Sequence, residues 1–278
     1  MSNVTDSNYG KYGKKIFVYD NKINKIKERN IKTVSIVEDF YTIHQDETNK
    51  KMYDLELSFA RYFEPAYNPF IEIVEKDFII KDIHKEYFSY FIAAQYLRTP
   101  KMKKQILKEI KVGYSTGVSG EVFDYSDMLS FRKNYCFNNK EITYEEFLEM
   151  KNHNTIIVDL EEDIYVKYIV KKIKPLANEF KNKDWLVLKA PRESSFISSD
   201  NPIFSVDNYK EMKLTALQGK LFILTKQLAI LIGGNYEGYY DIQLDDLETI
   251  NYCVSKNSDR IIFSHDKDLL SKNIKVKI

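Results

Sequence analysis

A glutamine and an arginine stand three residues apart at the end of the apolar segment FIAAQYLRTP, residues 91–100. Gln95 falls at helical spacing from Phe88 and Phe91, and Arg98 lies about one turn further along the same side. A buried amide needs hydrogen-bond partners, because an unpaired one costs about 1–3 kcal/mol. A guanidinium matches the two oxygens of a carboxylate or a phosphate. The pair therefore predicts part of a polar site that recognises anions.

Two glutamates in the preceding segment are candidate acidic residues for the same site, Glu56 and Glu64. Eight helical steps of about 100° leave them roughly 80° apart, so one flank of a helix can carry both. Pro65 follows directly and breaks the helix, which leaves carbonyl groups for ions or partners. The alternative is structural, because an ion pair between Arg98 and either glutamate would also fix two helices together.

The segment SSDNP, residues 198–202, supplies the third group of candidates. An aspartate at a strand end, held by an Asn-Pro turn, projects from a rigid scaffold, so Asp200 is a further candidate catalytic residue. Ser199, Asn201 and Pro202 would support it. The alternative is that these residues only form a turn, since Asp, Asn and Pro are common turn formers.

Composition limits the partners of the chain. Its 278 residues are 44% hydrophobic and 14% aromatic, and 42 basic residues nearly balance 41 acidic ones. This balance gives no overall field to hold a polyanion or an anionic membrane. The segment KKQILKEIKVG, Lys103–Gly113, supplies either a local basic strip toward nucleic acid or an ordinary solvated helix face.

Metal and membrane signals are also weak. Two cysteines are too few for a disulfide scaffold, and four scattered histidines disfavour a zinc hydrolase. Magnesium or manganese held by carboxylates stays open. No apolar run approaches the roughly 20 residues that cross a bilayer, and the polar N-terminus lacks a signal-peptide core. We therefore expect a cytoplasmic protein without a membrane partner.

Periodicity predicts an α+β fold, with a helical N-terminal half packed on a mostly antiparallel sheet in the C-terminal half. Predicted helices cover about 51–63, 85–98, 101–111, 143–151, 160–173 and 245–255. Predicted strands are 15–20, 33–43 and the segments WLVLKA, SFISSD, PIFSV, KLFILT, LAILIG and RIIFSH. We expect a flexible arm at 1–13 and a single domain at 14–278. The alternative is that this domain consists of two lobes, a helical lobe at about 45–180 and a sheet lobe at about 183–278.

The order of KKIFVYD, EDFYT, DLELSFARYFE, FIAAQYLRTP, KDWLVLKA, SFISSDNPIF and INYCVSKNSDRIIFS resembles the bacterial family catalogued as domain of unknown function 4238. The similarity covers about residues 14–266. It implies that a polar pattern and one aromatic marker matter in this chain: Glu56, Glu64, Gln95, Arg98, Ser199, Asp200 and Pro202, with Trp185 as the marker. The family has no established activity, so the resemblance indicates which residues matter better than what they do.

One departure from the family pattern bears on activity. Family members typically open with His-Tyr-Val-Pro-Gln-Phe, and this chain has VTDSNYGKYG at that place. If the missing histidine is a base or a ligand, the protein is a reduced or inactive version. If that histidine is structural, the activity survives.

The candidate residues match the parts of a metal-assisted phosphodiesterase or nuclease-like effector acting on nucleic acid or a nucleotide. Carboxylates would hold magnesium or manganese, Gln95 would orient water or phosphate, and Arg98 would stabilise developing charge. A role in bacterial conflict, such as a response to phage, fits such an effector. The alternative is a non-catalytic sensor or protein-partner module, in which the same cluster is structural or binds a small anion.

Overall fold

The computed structural model describes residues 15–31, 34, 43–45, 50–52, 59–116, 136–137, 140–141, 164–206, 219–233 and 236–275. The candidate Glu56, the predicted helix 143–151 and most of the predicted strand 33–43 lie outside these residues. The predicted arm at 1–13 also lies outside them.

Six α-helices lie in the described part of the chain. They are α1 (Tyr67–Asp77), α2 (Asp82–Leu97), α3 (Pro100–Thr116), α4 (Ile164–Lys181), α5 (Leu244–Asn257) and α6 (Lys267–Lys275). A π-helical turn at Phe59–Phe63 and a 3-10 turn at Glu64–Ala66 lead into α1. The helices predicted at about 85–98, 101–111, 160–173 and 245–255 correspond to α2, α3, α4 and α5, whereas α6 was not predicted.

The prediction of a helix from residue 51 is wrong at its start. Residues Ile43–Gln45 and Lys50–Met52 form strands β3 and β4 of a small antiparallel hairpin, with Met52 opposite Ile43. One apolar residue at helical spacing did not distinguish a helix from this hairpin, because short apolar runs fit both periods. A second small hairpin joins β5 (Cys136–Phe137) to β6 (Lys140–Glu141).

A five-stranded sheet lies at the centre of the described structure, in the strand order β12-β7-β11-β10-β9. Its strands are β7 (Trp185–Lys189), β9 (Ile203–Ser205), β10 (Lys220–Ile223), β11 (Leu228–Ile232) and β12 (Gly238–Asp241). All neighbours are antiparallel except the parallel pair β7 and β12. The sequences WLVLK and LAILI are almost continuously apolar because both faces of these central strands are covered.

A four-stranded antiparallel sheet joins the first and last strands, in the order β2-β1-β13-β8. Its strands are β1 (Lys15–Asp20), β2 (Lys25–Asn30), β8 (Ser198–Ser199) and β13 (Ile261–Ser264). The structure therefore adds a strand that was not predicted, since β2 with sequence KIKERN pairs with β1. Most residues of β2 are exposed at the edge of the sheet, so it lacks the apolar alternation of a half-buried strand.

Four apolar clusters lie in the described structure, and one of them is confined to the four-stranded sheet and its surroundings. One face of the central sheet packs on α5 and α6 through residues such as Leu188, Leu231 and Leu247. The other face packs on α1, α2 and α4. A third cluster joins α2, α3 and α4 to Phe59. The predicted α+β class is confirmed, and no helix in the described ranges is long and apolar enough for a membrane span.

Candidate functional site

The site is built around the junction of α2 and α3. Arg98 ends α2, and its backbone N–H still donates to the Ala94 carbonyl at 3.1 Å. Thr99 is fully buried, and its hydroxyl accepts the Met102 N–H at 3.2 Å. Pro100 is the first residue of α3, where its missing N–H costs no hydrogen bond. The Arg-Thr-Pro sequence is therefore a helix end followed by an N-cap, which fixes the place of Arg98.

The structure brings Glu64, Gln95 and Arg98 together. Arg98 Nε donates to Gln95 Oε1 at 3.2 Å, and Arg98 Nη1 donates to Glu64 Oε1 at 2.9 Å. Gln95 is buried, at 3% exposure. The Arg98 side chain is 16% exposed and that of Glu64 is 49% exposed. The cluster therefore runs from a buried amide to a half-exposed carboxylate, and of the two glutamates considered as ion-pair partners of Arg98, Glu64 forms the pair.

An aromatic ring completes the surroundings of the guanidinium. Arg98 Cζ lies 5.4 Å from the centre of the Phe59 ring, a cation–π distance. Phe59 is 1% exposed and belongs to the π-helical turn that precedes Glu64. The sequence analysis placed Phe59 only within the predicted helix at about 51–63, so it missed this contact. The available signal was an aromatic residue five positions before Glu64.

Asp200 lies in a second cluster. Its buried carboxylate accepts hydrogen bonds from the Asp259 N–H at 3.0 Å, the Arg260 N–H at 2.9 Å and Arg260 Nε at 3.2 Å. Burial raises the pKa of Asp200, although the bonds from Arg260 and Asp259 act in the opposite direction. The carboxylate therefore ties the turn after β8 to the turn between α5 and β13.

The supporting residues of the SSDNP segment are internal too. Ser199 Oγ and the Asn201 backbone N–H are 3.2 Å apart in an Asx-like turn bond, and Asn201 Nδ2 donates to the Asn257 carbonyl at 3.2 Å. The Pro202 carbonyl accepts the Ile223 N–H at 3.3 Å. Asn201 Oδ1 is buried without a hydrogen-bond partner among the described residues. This segment joins β8, β9 and α5 rather than presenting side chains to solvent.

Two lysines that the site prediction omitted connect α3 to the Asp200 cluster. Lys101 Nζ donates to Asn257 Oδ1 at 3.0 Å, and Lys104 Nζ lies 2.7 Å from Asp259 Oδ1. Burial lowers the pKa of Lys101, while the charges of Asp259 and Asp200 raise it. The available signal was helical spacing, since these lysines follow Arg98 at intervals of three residues. The two clusters therefore meet at one helix junction.

Trp185 is a core residue at the start of β7. It is 2% exposed, and its Nε1 donates to the Phe180 carbonyl at 2.8 Å. The rings of Phe70 and Phe88 lie edge-on to it, at 6.3 and 6.4 Å between centres. Trp185 therefore positions α1, α2 and α4 on the central sheet. None of these three contacts is with a residue of the polar clusters.

The described residues of the Glu64 cluster offer a guanidinium to an anion. In the ranges that the structure covers, no group of three His, Cys, Asp or Glu side chains is arranged to hold a metal. Glu64 is paired with Arg98, and Glu56 lies outside those ranges. A guanidinium held by an amide and a ring can donate hydrogen bonds to a phosphate or carboxylate at its outer edge.

Comparison with known proteins places the chain in a family. A family model described as a protein of unknown function, DUF4238, matches residues 6–268. No curated protein and no solved structure matches the chain. Because the match covers nearly the whole sequence, the chain belongs to the DUF4238 family of proteins of unknown function.

Proposed function

We propose that the Glu64, Gln95 and Arg98 cluster binds a phosphate group, and that the protein is a metal-assisted phosphodiesterase of the nuclease type. The observation that carries this proposal is the bond from Arg98 Nε to the buried Gln95 amide. It orients the guanidinium so that Nη1 lies at the half-exposed rim, beside Glu64. A guanidinium held in place before the substrate arrives loses less entropy on binding.

A phosphate oxygen would take the place of the Glu64 carboxylate on Arg98, since both groups offer the acceptor geometry that a guanidinium matches. The displaced carboxylate would then be available for magnesium or manganese, with Glu56 as the second acidic residue. Such a metal would neutralise charge on the phosphate. Gln95 and Arg98 would hold the phosphate in position. The substrate class would be a nucleic acid or a nucleotide, which both carry phosphodiesters or phosphates.

A second candidate is a non-catalytic protein that senses a small anion or holds a partner. Two observations favour it. The Glu64 carboxylate is already paired with Arg98 at 2.9 Å. The Asp200 carboxylate, which is 1% exposed, accepts hydrogen bonds from two backbone N–H groups and the Arg260 side chain. If this second candidate is correct, the Glu64, Gln95 and Arg98 cluster binds the anion without catalysing a reaction.

Cleavage assays separate the two candidates. Purified protein would be incubated with labelled single-stranded DNA, RNA and bis-(p-nitrophenyl) phosphate, in magnesium, manganese or EDTA. Cleavage that needs the metal supports the first candidate. We expect Arg98→Lys to lower kcat/KM by about 10²-fold, because lysine keeps the charge but lacks the planar guanidinium that Gln95 and Phe59 hold in place. Glu64→Gln should also abolish cleavage while the melting temperature stays close to that of the unmodified protein.

Matched controls come from the same part of the chain. Arg61 is exposed in the π-helical turn and Glu72 is exposed on α1, so Arg61→Lys and Glu72→Gln should leave cleavage unchanged. Cleavage that survives Glu64→Gln at full rate would contradict the catalytic proposal. An absence of cleavage, with phosphate binding that Arg98→Lys removes, would leave the second candidate as the function.

A further inference from the structure

A lysine ammonium outside the two clusters is held between two hydroxyl groups. Lys220 Nζ donates to Ser205 Oγ at 2.6 Å and to Tyr96 Oη at 3.1 Å. The same nitrogen lies 4.9 Å from the centre of the Tyr96 ring. All three residues are partly buried. The position of the ammonium is therefore fixed by contacts on two sides.

Strand register explains why these residues meet. In the pair β9 and β10, Phe222 lies opposite Ile203, and Lys220 lies opposite Ser205. Side chains two residues apart in a strand share a face. Phe222 and Ile203 belong to the apolar cluster under α2, so the Lys220 and Ser205 pair continues that row. Tyr96, near the end of α2, meets the row where it becomes polar.

The group formed by Tyr96, Ser205 and Lys220 has more hydrogen-bond donors than acceptors. A lysine ammonium has three N–H donors and no acceptor, while each hydroxyl can accept one bond and donate another. Two ammonium hydrogens go to the oxygens of Tyr96 and Ser205. The third ammonium hydrogen and both hydroxyl hydrogens meet no acceptor within the ranges that the structure describes. Three donors therefore lie together, and none of them has an acceptor among the residues that the structure describes.

The positive charge of Lys220 also favours an anionic ligand. Among the described residues, no carboxylate lies within ion-pair distance of Lys220. An ammonium that is partly removed from water has lost some of its hydration and gains from a nearby negative charge. The group that would satisfy both the charge and the three donors is a small oxyanion.

We propose that Tyr96, Ser205 and Lys220 form a binding site for one oxyanion, which is a phosphate or carboxylate group of a small ligand. The site does not depend on the proposed phosphodiesterase activity. Tyr96 follows Gln95 directly, and one helical step turns its side chain by about 100° from that of Gln95. Tyr96 also packs edge-on to Phe180 of α4, at 6.3 Å, away from the Glu64 cluster.

The chain itself offers one competing source of negative charge. Asp207 and Glu211 belong to the segment between β9 and β10, which lies outside the described residues. If either carboxylate pairs with Lys220, an external anion has no place there. A double variant, Asp207→Asn with Glu211→Gln, tests this alternative directly.

Calorimetric titration of the full-length protein at constant ionic strength tests the proposal, with inorganic phosphate in one arm and acetate in the other. All variants carry Arg98→Gln as a common background, which removes the cation of the Glu64 cluster and so separates the two sites. We expect one saturable site for at least one anion. The arm that binds more tightly identifies the ligand as phosphate-like or carboxylate-like.

Matched substitutions on the same elements sharpen the result. Tyr96→Phe keeps the ring and removes one donor, so it should weaken binding about tenfold. Tyr87→Phe, at an exposed position of α2, should have no effect. Lys220→Met should abolish binding, and Lys267→Met, at an exposed position of α6, should not.

Three results would overturn the proposal. The first is a lack of saturable binding in the background protein for both anions. The second is binding that is equally tight after Lys220→Met or Tyr96→Phe. The third is binding that appears only in the double variant of Asp207 and Glu211, which would show that the chain supplies its own anion. Tyr96→Phe keeps the packing of the ring, so the test does not depend on a variant that fails to fold.

Discussion

The replacement of Asp200 by asparagine isolates the contribution of one buried carboxylate to stability. Three donors converge on this group, namely two backbone N–H groups and one guanidinium nitrogen, at 2.9 to 3.2 Å. Asparagine has nearly the same shape but only one acceptor oxygen. Its amide nitrogen would face a backbone N–H, so at least one donor would lose its partner. Arg260 would also lose a charged acceptor.

The magnitude follows from these bonds. A hydrogen bond to a charged group contributes about 1.5–3 kcal/mol, and a buried donor without a partner costs about 1–3 kcal/mol. The burial cost of the charge acts in the opposite direction, since an asparagine does not carry it. We therefore expect Asp200→Asn to lower the free energy of unfolding by about 2 kcal/mol at pH 7. The exposed Asp77→Asn at the end of α1 should change it by less than about 0.5 kcal/mol.

The pH dependence gives a sharper test. Burial raises the pKa of Asp200 above its usual value of 3.8. The folded protein then binds a proton at this group more readily than the unfolded chain does. The stability contributed by the group is fully present below pH 3.8 and is lost as pH rises through the folded pKa. The advantage of aspartate over asparagine should therefore grow as pH falls from 7 toward 4.

Urea unfolding of both proteins at pH 7, 6, 5 and 4.5 measures this difference. The asparagine variant lacks the titrating group, so subtraction removes contributions that the two proteins share. A difference that shrinks toward pH 4.5 would refute the reasoning, because it would mean that the three donors outweigh burial and lower the pKa. A flat difference of about zero would mean that the carboxylate does not tie the two turns together.

Four further substitutions test local contacts, each by urea unfolding. Gly219→Ala should cost about 3 kcal/mol or more, because its φ is +135° and an added Cβ would lie 2.2 Å from the Ile232 carbonyl oxygen. Gly238→Ala should cost clearly less, since its φ is +108° but the space around it is open; equal costs would mean that the contact is irrelevant. Trp185→Ala should cost about 3–5 kcal/mol, as expected for a 2% exposed ring in the core, and a loss below 1 would contradict its role. Lys104→Ala should cost less than about 1 kcal/mol, because its side chain is 70% exposed.

The parts of the fold that could be predicted are those whose pattern comes from burial. β7 and β11 have layers on both sides, so their sequences are continuous apolar runs between turn residues. α2 buries Phe88 and Phe91 at helical spacing, and Pro100 ends the run. In each case the local pattern and the tertiary environment agree, which is why the sequence was informative.

The edge strands could not be predicted for the opposite reason. β2 has the sequence KIKERN and is mostly exposed, and its pairing with β1 depends on a neighbouring strand rather than on its own pattern. β12 is short and pairs in parallel with β7 across about 50 residues of chain. Met52 was assigned to a helix although it pairs with Ile43 in a hairpin. In all three elements the pairing partner, rather than the element's own sequence pattern, decided the structure.

The contacts of the candidate site also differ in how far apart in sequence the partners lie. The contact between Gln95 and Arg98 is local, and helical spacing placed both residues on the same side of the helix, although it did not predict their hydrogen bond. Glu64 was one of two glutamates offered as partners for Arg98, and in the structure it pairs with Arg98 across 34 residues. The partners of Asp200 lie 59 and 60 residues away, and no local pattern pointed to Asp259 or Arg260. The sequence therefore indicated the residue types of the site better than their partners.

The helix junction decides how substitutions in the two clusters should be compared. Only Thr99 and Pro100 separate Arg98, which contacts Glu64, from Lys101, which contacts the end of α5. Thr99 is fully buried and caps α3, so a substitution there would displace both clusters together. A loss of function in a Thr99 variant would therefore not identify the responsible cluster. Side-chain substitutions at Arg98 and Lys101 leave the cap in place, so they separate anion recognition at one cluster from structural support at the other.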